Sequence, residues 1–236
     1  MAGRAVASST RGETTTEPSP GPSAPLLERP RRSAHPRCSD PRAAVGASLV
    51  ERAHRVARQL LDPAGDRWWH TAGVAGRALH ARAAVPPEQR EVLVAAAWLH
   101  DVGYAPALAA TGFHPLDGAR HLRETGWPEE VVALVAHHSG ARFLAEVKGL
   151  GSALSEFDDP RGWEGPLADA LVWADQTTSP QGHPVGVDER LAEARARHGE
   201  GSDLALAHAL RAPAVRAAAA ATERRLALAL PFDVRD

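Results

Sequence analysis

The chain has 236 residues, enough for one domain with tails. Its 27 basic and 29 acidic side chains give a formal net charge of -2, which offers no general attraction to nucleic acid or to an anionic membrane. The single cysteine, Cys38, excludes an intramolecular disulfide and a thiolate zinc site, and a reducing cytoplasm is the expected compartment.

Residues 1 to about 44 are rich in Ser, Thr, Pro and Arg and lack apolar periodicity, so a disordered tail is expected there. No apolar signal core stands near the start, and no run of about 18 uncharged apolar residues occurs, so no membrane span is expected. From residue 45 the pattern turns helical. Leu49, Val50, Ala53, Val56, Ala57 and Leu60 recur at three and four, and Asp62-Pro63-Ala64-Gly65 stops the helix. A second helix carries His70, Val74, Ala75, Ala78 and Leu79. Pro86-Pro87-Glu88 opens a third, which runs to His100-Asp101. Pro115 opens a fourth through Leu116, Ala119 and Leu122. Trp127-Pro128-Glu129-Glu130 opens a fifth, ended by Ser139-Gly140. Arg142 to Val147 reads as a helical turn or more, and Gly149 to Gly165 as loop. Pro166 to Thr177 is a sixth long helix. Further helices are expected at about 187–198 and 202–229, the last kinked near Pro213. No segment alternates like a strand. The expected fold is all-α, over residues 45–230.

Several apolar runs end in metal-ligand side chains. Val92 to Leu99 ends in His100-Asp101, Val131 to Ala136 in His137-His138, and Leu167 to Ala174 in Asp175; His70 follows Trp68-Trp69. Runs this apolar belong in a core. Burying a histidine and a carboxylate at their ends is costly unless a partner satisfies both, and a divalent ion is such a partner. The order His, His-Asp, Asp points to a metal centre inside a helical domain. No P-loop, dinucleotide fingerprint or nucleophile elbow occurs, and no basic-aromatic surface for nucleic acid stands out.

His70 in Trp-Trp-His-Thr-Ala-Gly-Val, His100-Asp101 in Trp-Leu-His-Asp-Val-Gly-Tyr and Asp175 in Val-Trp-Ala-Asp-Gln make residues 47–180 resemble the HD-domain superfamily of metal-dependent phosphohydrolases. The resemblance implies an HD-type helical bundle in which His70, His100, Asp101 and Asp175 hold a metal ion. Imidazole with carboxylate suits Mn, Fe, Co, Ni or Zn. Gly112-Phe113-His114-Pro115 and Ala136-His137-His138-Ser139 resemble the extra ligand segments of two-metal members. That implies one or two ions per chain, with Asp101 bridging and His114 and His137 on the second ion. The alternative for these residues is a helix cap at His114 and a substrate phosphate at His137 or His138.

The likeness has departures. His114 follows Asp101 by only thirteen residues, and Tyr104 stands where many members carry lysine. Ser139-Gly140-Ala141-Arg142 replaces the Gly-Tyr-Pro signature of cyclic dinucleotide hydrolases. The pattern looks more like small HD hydrolases acting on nucleotides. The implied activity is metal-assisted hydrolysis of a small phosphorylated substrate. Asp101 orients or deprotonates the water, His137 or His138 stabilises charge, and Arg142 and Lys148 bind phosphate. The other implied possibilities are a di-iron oxygenase resembling myo-inositol oxygenase and a non-catalytic nucleotide-sensing domain. No nucleic-acid or membrane partner is expected.

Overall fold

In the computed structural model, which describes residues 47–62 and 65–229, the first helix starts where two side chains cap each other. The Glu51 amide donates to Ser48 Oγ at 3.2 Å, and the Ser48 amide donates to Glu51 Oε2 at 2.9 Å. This fixes the start of α1 (Leu49–Leu60). There follow α2 (Asp66–Ala81), α3 (Arg90–Leu99), α4 (His114–Glu124), α5 (Glu129–His137), α6 (Ala141–Val147) and α7 (Gly151–Leu154). The series closes with α8 (Gly165–Gln176), α9 (Val187–His198) and α10 (Asp203–Ala229). The fold is all-helical, as the sequence leads one to expect. Among the described residues the only extended pairing is a bridge between Thr178 and Pro184.

Three helices are apolar nearly all round and therefore sit in the middle. Leu93 to Ala97 and Leu99 of α3 are buried, as are Val131 to Ala136 of α5 and Leu167, Leu171 and Ala174 of α8. Around them α1 and α2 pack on α3, α4 packs on α5, and α2 and α10 cover α8. One continuous apolar cluster runs from Ala53 to Ala219. A smaller one, Leu191 with Ala212 and Val215, joins α9 to α10.

Two expectations change. The third helix stops at Leu99, and His100 and Asp101 turn out of it. The stretch 149–165, expected as loop, holds α7 and three-residue 3₁₀ turns at Ser155–Phe157 and Pro160–Gly162. Leu154 and Phe157 anchor it in the core, which polar composition concealed. The long last helix runs from Asp203 to Ala229 with Pro213 inside it. No helix among the described residues is long and apolar enough to cross a membrane. The tail expected at residues 1–44 lies outside the described residues.

Candidate metal centre

Because α3 cannot turn its apolar surface outward, its end carries His100 and Asp101 inside, where they are 0% and 3% exposed. The chain leaves through Asp101 (φ −104°, ψ 6°) into the 3₁₀ turn Val102–Tyr104. Gly103 lets that turn lie against α4: a Cβ there would stand 2.0 Å from the His114 carbonyl oxygen. The close approach sets His114, the first residue of α4, with Nε2 3.3 Å from Asp101 Oδ1. Asp117 ties down the loop before it, accepting from the Thr111 amide at 3.0 Å and hydroxyl at 2.8 Å.

Three imidazoles are held alike. His100 Nδ1 donates to the Ala97 carbonyl at 2.7 Å, His138 Nδ1 to the Val135 carbonyl at 2.7 Å, and His70 Nδ1 to the Ser179 carbonyl at 3.0 Å. A carbonyl only accepts, so each neutral ring presents its Nε2 lone pair inward. Those nitrogens face carboxylates. His100 Nε2 lies 3.4 Å and His70 Nε2 3.9 Å from Asp101 Oδ2, and His138 Nε2 lies 3.8 Å from Asp101 Oδ1. His70 Nε2 is also 3.0 Å from Asp175 Oδ1. Among the described residues His100 Nε2 is buried with no hydrogen-bond partner. Lone pairs facing lone pairs in a buried cluster require cations or protons between them.

The electrostatics bear this out. Burial holds the His138 ring down to about 3, helped by His114 and His100, so it stays neutral. Burial also lowers His114. It presses His100 down too, but the charges of Asp101 and Asp175 outweigh it and lift that ring to about 8. Burial pushes Asp101 up; His100 and Arg67 more than offset it and hold the carboxyl well below the usual range. Asp175 is likewise held low against burial, chiefly by its bond to His70.

The ligand atoms of His70, His100 and Asp101 lie mutually within 4.8 Å, and so do those of Asp101, His114 and His138. Both triads fit a divalent ion in donor type, and Asp101 is common to them. Asp175 reaches the first triad through His70. Its second oxygen accepts from the Ser139 hydroxyl and from Gln176 Nε2 at 3.0 Å. Buried Arg211 of α10 braces this corner, donating to the Ser139 carbonyl at 2.8 Å and to Gln176 Oε1 at 3.0 Å. Ser139 has φ 53°, which costs roughly 1–2 kcal/mol for an L-residue and is offset by these bonds.

One expected ligand is elsewhere. His137 points away from Asp101: its Nε2 contacts the Phe157 carbonyl at 3.2 Å, and its ring packs edge-on against Trp163 at 4.4 Å. At the end of α5 successive side chains diverge by about 100°, so only one of the pair can face the cluster. His138 is that one. Arg142 lies over Phe143 and is not on the wall of the site; Lys148 is on the wall, paired with Asp203 at 2.8 Å. His70, His100, Asp101, His114, His138 and Asp175 are brought together.

The cluster floors a cavity of about 320 Å³. Sequence reasoning missed much of its lining. Arg67 stands one helical turn before His70; its Nη1 reaches Asp101 Oδ2 at 2.5 Å, and its guanidinium lies 3.8 Å over Tyr104. Tyr104 in turn stacks on His114 at 3.9 Å. The i, i+3 spacing of Arg67 and His70 was the available signal. Arg190, Arg197 and His198 of α9 and Arg211 of α10 complete the wall, and nothing local in the sequence marks them.

A helical bundle whose buried ends gather histidines around one aspartate defines a metal-binding class of protein. Residues 67–172 match the family model described as HD domain, and the chain carries an HD domain over that stretch. The match is consistent with the HD-domain superfamily of metal-dependent phosphohydrolases, and the clustered His and Asp side chains could hold a metal ion. Comparison with curated proteins and with solved structures gave no match.

Proposed function

We propose that the chain is a metal-dependent phosphohydrolase acting on a small phosphate ester or nucleotide. The supporting observation is the convergence of three fixed Nε2 lone pairs on Asp101, at the floor of a cavity lined by Arg67, Lys148, Arg190, Arg197 and Arg211. His70, His100, Asp101 and Asp175 would hold one ion; Asp101, His114 and His138 would hold a second. The chemistry supplied by bound Mn, Fe, Co, Ni or Zn is polarisation of a phosphoryl oxygen and acidification of a water molecule. Arg67, kept in place by Tyr104, binds a phosphoryl oxygen and neutralises charge that grows in the transition state. Asp101 orients the attacking water as it loses its proton. The P–O bond to the leaving group breaks, the water oxygen takes its place on phosphorus, and a proton ends on the leaving oxygen. The partner is a small phosphorylated molecule, with nucleic acid and membrane outside this reading.

Metal content by elemental analysis, run beside phosphate release from a panel of phosphomonoesters and nucleotides, tests it. The expected result is one to two ions per chain, metal-dependent phosphate release, and loss of both in Asp101→Ala. Iron occupancy with oxygen uptake and no phosphate release would replace this reading with an oxygenase. Undiminished metal in Asp101→Ala would remove the site.

A further inference from the structure

Helices α9 and α10 lie beyond the matched stretch, yet they close the cavity. Arg190 of α9 is only 6% exposed, and its Nε is buried with no hydrogen-bond partner among the described residues. A guanidinium N–H in that state is costly. Its Nη1 meets Glu193, and the same carboxylate takes Arg197 Nε at 3.2 Å. One carboxylate therefore serves two guanidiniums. Beside the main cavity a recess of about 50 Å³ is lined by Asp66, Arg67, His70, Pro180, Arg190 and Arg197. Three guanidiniums meet there, opposed by the exposed Asp66, and His70 connects the recess to the metal-ligand cluster. The recess is small and lined by cationic side chains, which suits a compact anion.

We propose that Arg190 and Arg197 form an anion subsite for a second phosphate group of the substrate, so that the preferred substrate carries two phosphate groups, as a phosphoanhydride or a bisphosphate does. The planar, multidentate fork of arginine suits phosphate oxygens. The word substrate rests on the phosphohydrolase reading above; the subsite itself is built from protein cations and needs no metal.

Titration calorimetry of inorganic orthophosphate into chelator-treated protein tests the subsite directly. Wild type should bind saturably, and Arg197→Gln and Arg190→Gln should each weaken binding roughly ten- to hundredfold. Arg190 is buried, so circular dichroism checks that its variant folds; if it does not, the more exposed Arg197 decides. With metal-loaded enzyme, kcat/KM for a bisphosphate should exceed that for a monoester with an uncharged leaving group. That preference should narrow roughly tenfold in Arg197→Gln, mainly through KM. No phosphate binding by metal-free wild type, or binding unchanged in the folded variants, overturns the subsite. Arg197-dependent binding in a protein that hydrolyses nothing keeps the subsite and removes the phosphohydrolase reading. Monoester hydrolysis without phosphate binding does the reverse.

Discussion

His137 and His138 are neighbours with opposite environments, and substitution should separate them. His138→Ala removes an Nε2 that faces Asp101, so metal content should fall by about one ion per chain if both triads fill. His137→Ala should leave metal content unchanged. It should instead cost about 1–3 kcal/mol of stability, through the lost contact with Phe157 and the packing on Trp163. Elemental analysis and thermal melts of the two variants decide it; equal metal loss in both would sink the assignment. The sequence reading put His137 on the second ion, whereas His138 is the one that faces Asp101, because the choice depends on how α5 ends. A break in the helix at His138 and the left-handed Ser139 set the direction, and neither has a composition signal. Gln176 was invisible for another reason, and Arg67 was marked only by its i, i+3 spacing from His70. Both act by reaching a carboxylate already in place, Arg67 on Asp101 and Gln176 on Asp175.

The apolar runs of α3, α5 and α8 were legible because burial on every side leaves little polarity to vary, and their ends located His100, Asp101 and Asp175. Loops were less legible, since their placement is decided by contacts far along the chain. The loop after α8 is the clearest case: its Ser179 carbonyl fixes the His70 tautomer from 109 residues away. Gly73 allows this, for a Cβ there would stand 2.5 Å from the Gly182 oxygen and 2.8 Å from Thr178 Cγ2. In Gly73→Ala two effects compete. Helix propensity improves by about 1 kcal/mol. The loop, however, must move off α2 and take the Ser179 carbonyl with it. Misorienting a ligand through its supporting hydrogen bond typically weakens metal binding about 10–100-fold. The expected outcome is therefore weaker metal affinity, with little loss of helical signal, measured by titration against a metal indicator. Wild-type affinity in this variant would show that His70 holds its orientation without the loop.

Packed into one body, these groups give the molecule a pH response that depends on whether metal is bound. In the metal-free protein His100 is raised from 6.5 to about 8, by Asp101 and Asp175 against burial. A raised pKa stabilises the fold fully below the unfolded value of about 6.5. That contribution, about 2 kcal/mol, disappears as pH climbs through about 8. His138, His114 and His137 are depressed, mainly by burial, so the unfolded chain takes up their protons first and stability falls as pH drops below about 6.5. Chelator-treated protein should therefore show a melting temperature that peaks near pH 6.5–7 and declines on both sides. With saturating metal the His100 proton is displaced, so the folded state no longer gains from protonation between about 6.5 and 8. The alkaline decline should then vanish, leaving a plateau above about pH 6.5 while the acid limb remains. Metal at 100 times its Kd should add about 2.7 kcal/mol. Thermal melts across pH, with and without metal, read this out. An alkaline decline that persists in the loaded protein would mean that the ion does not bind His100.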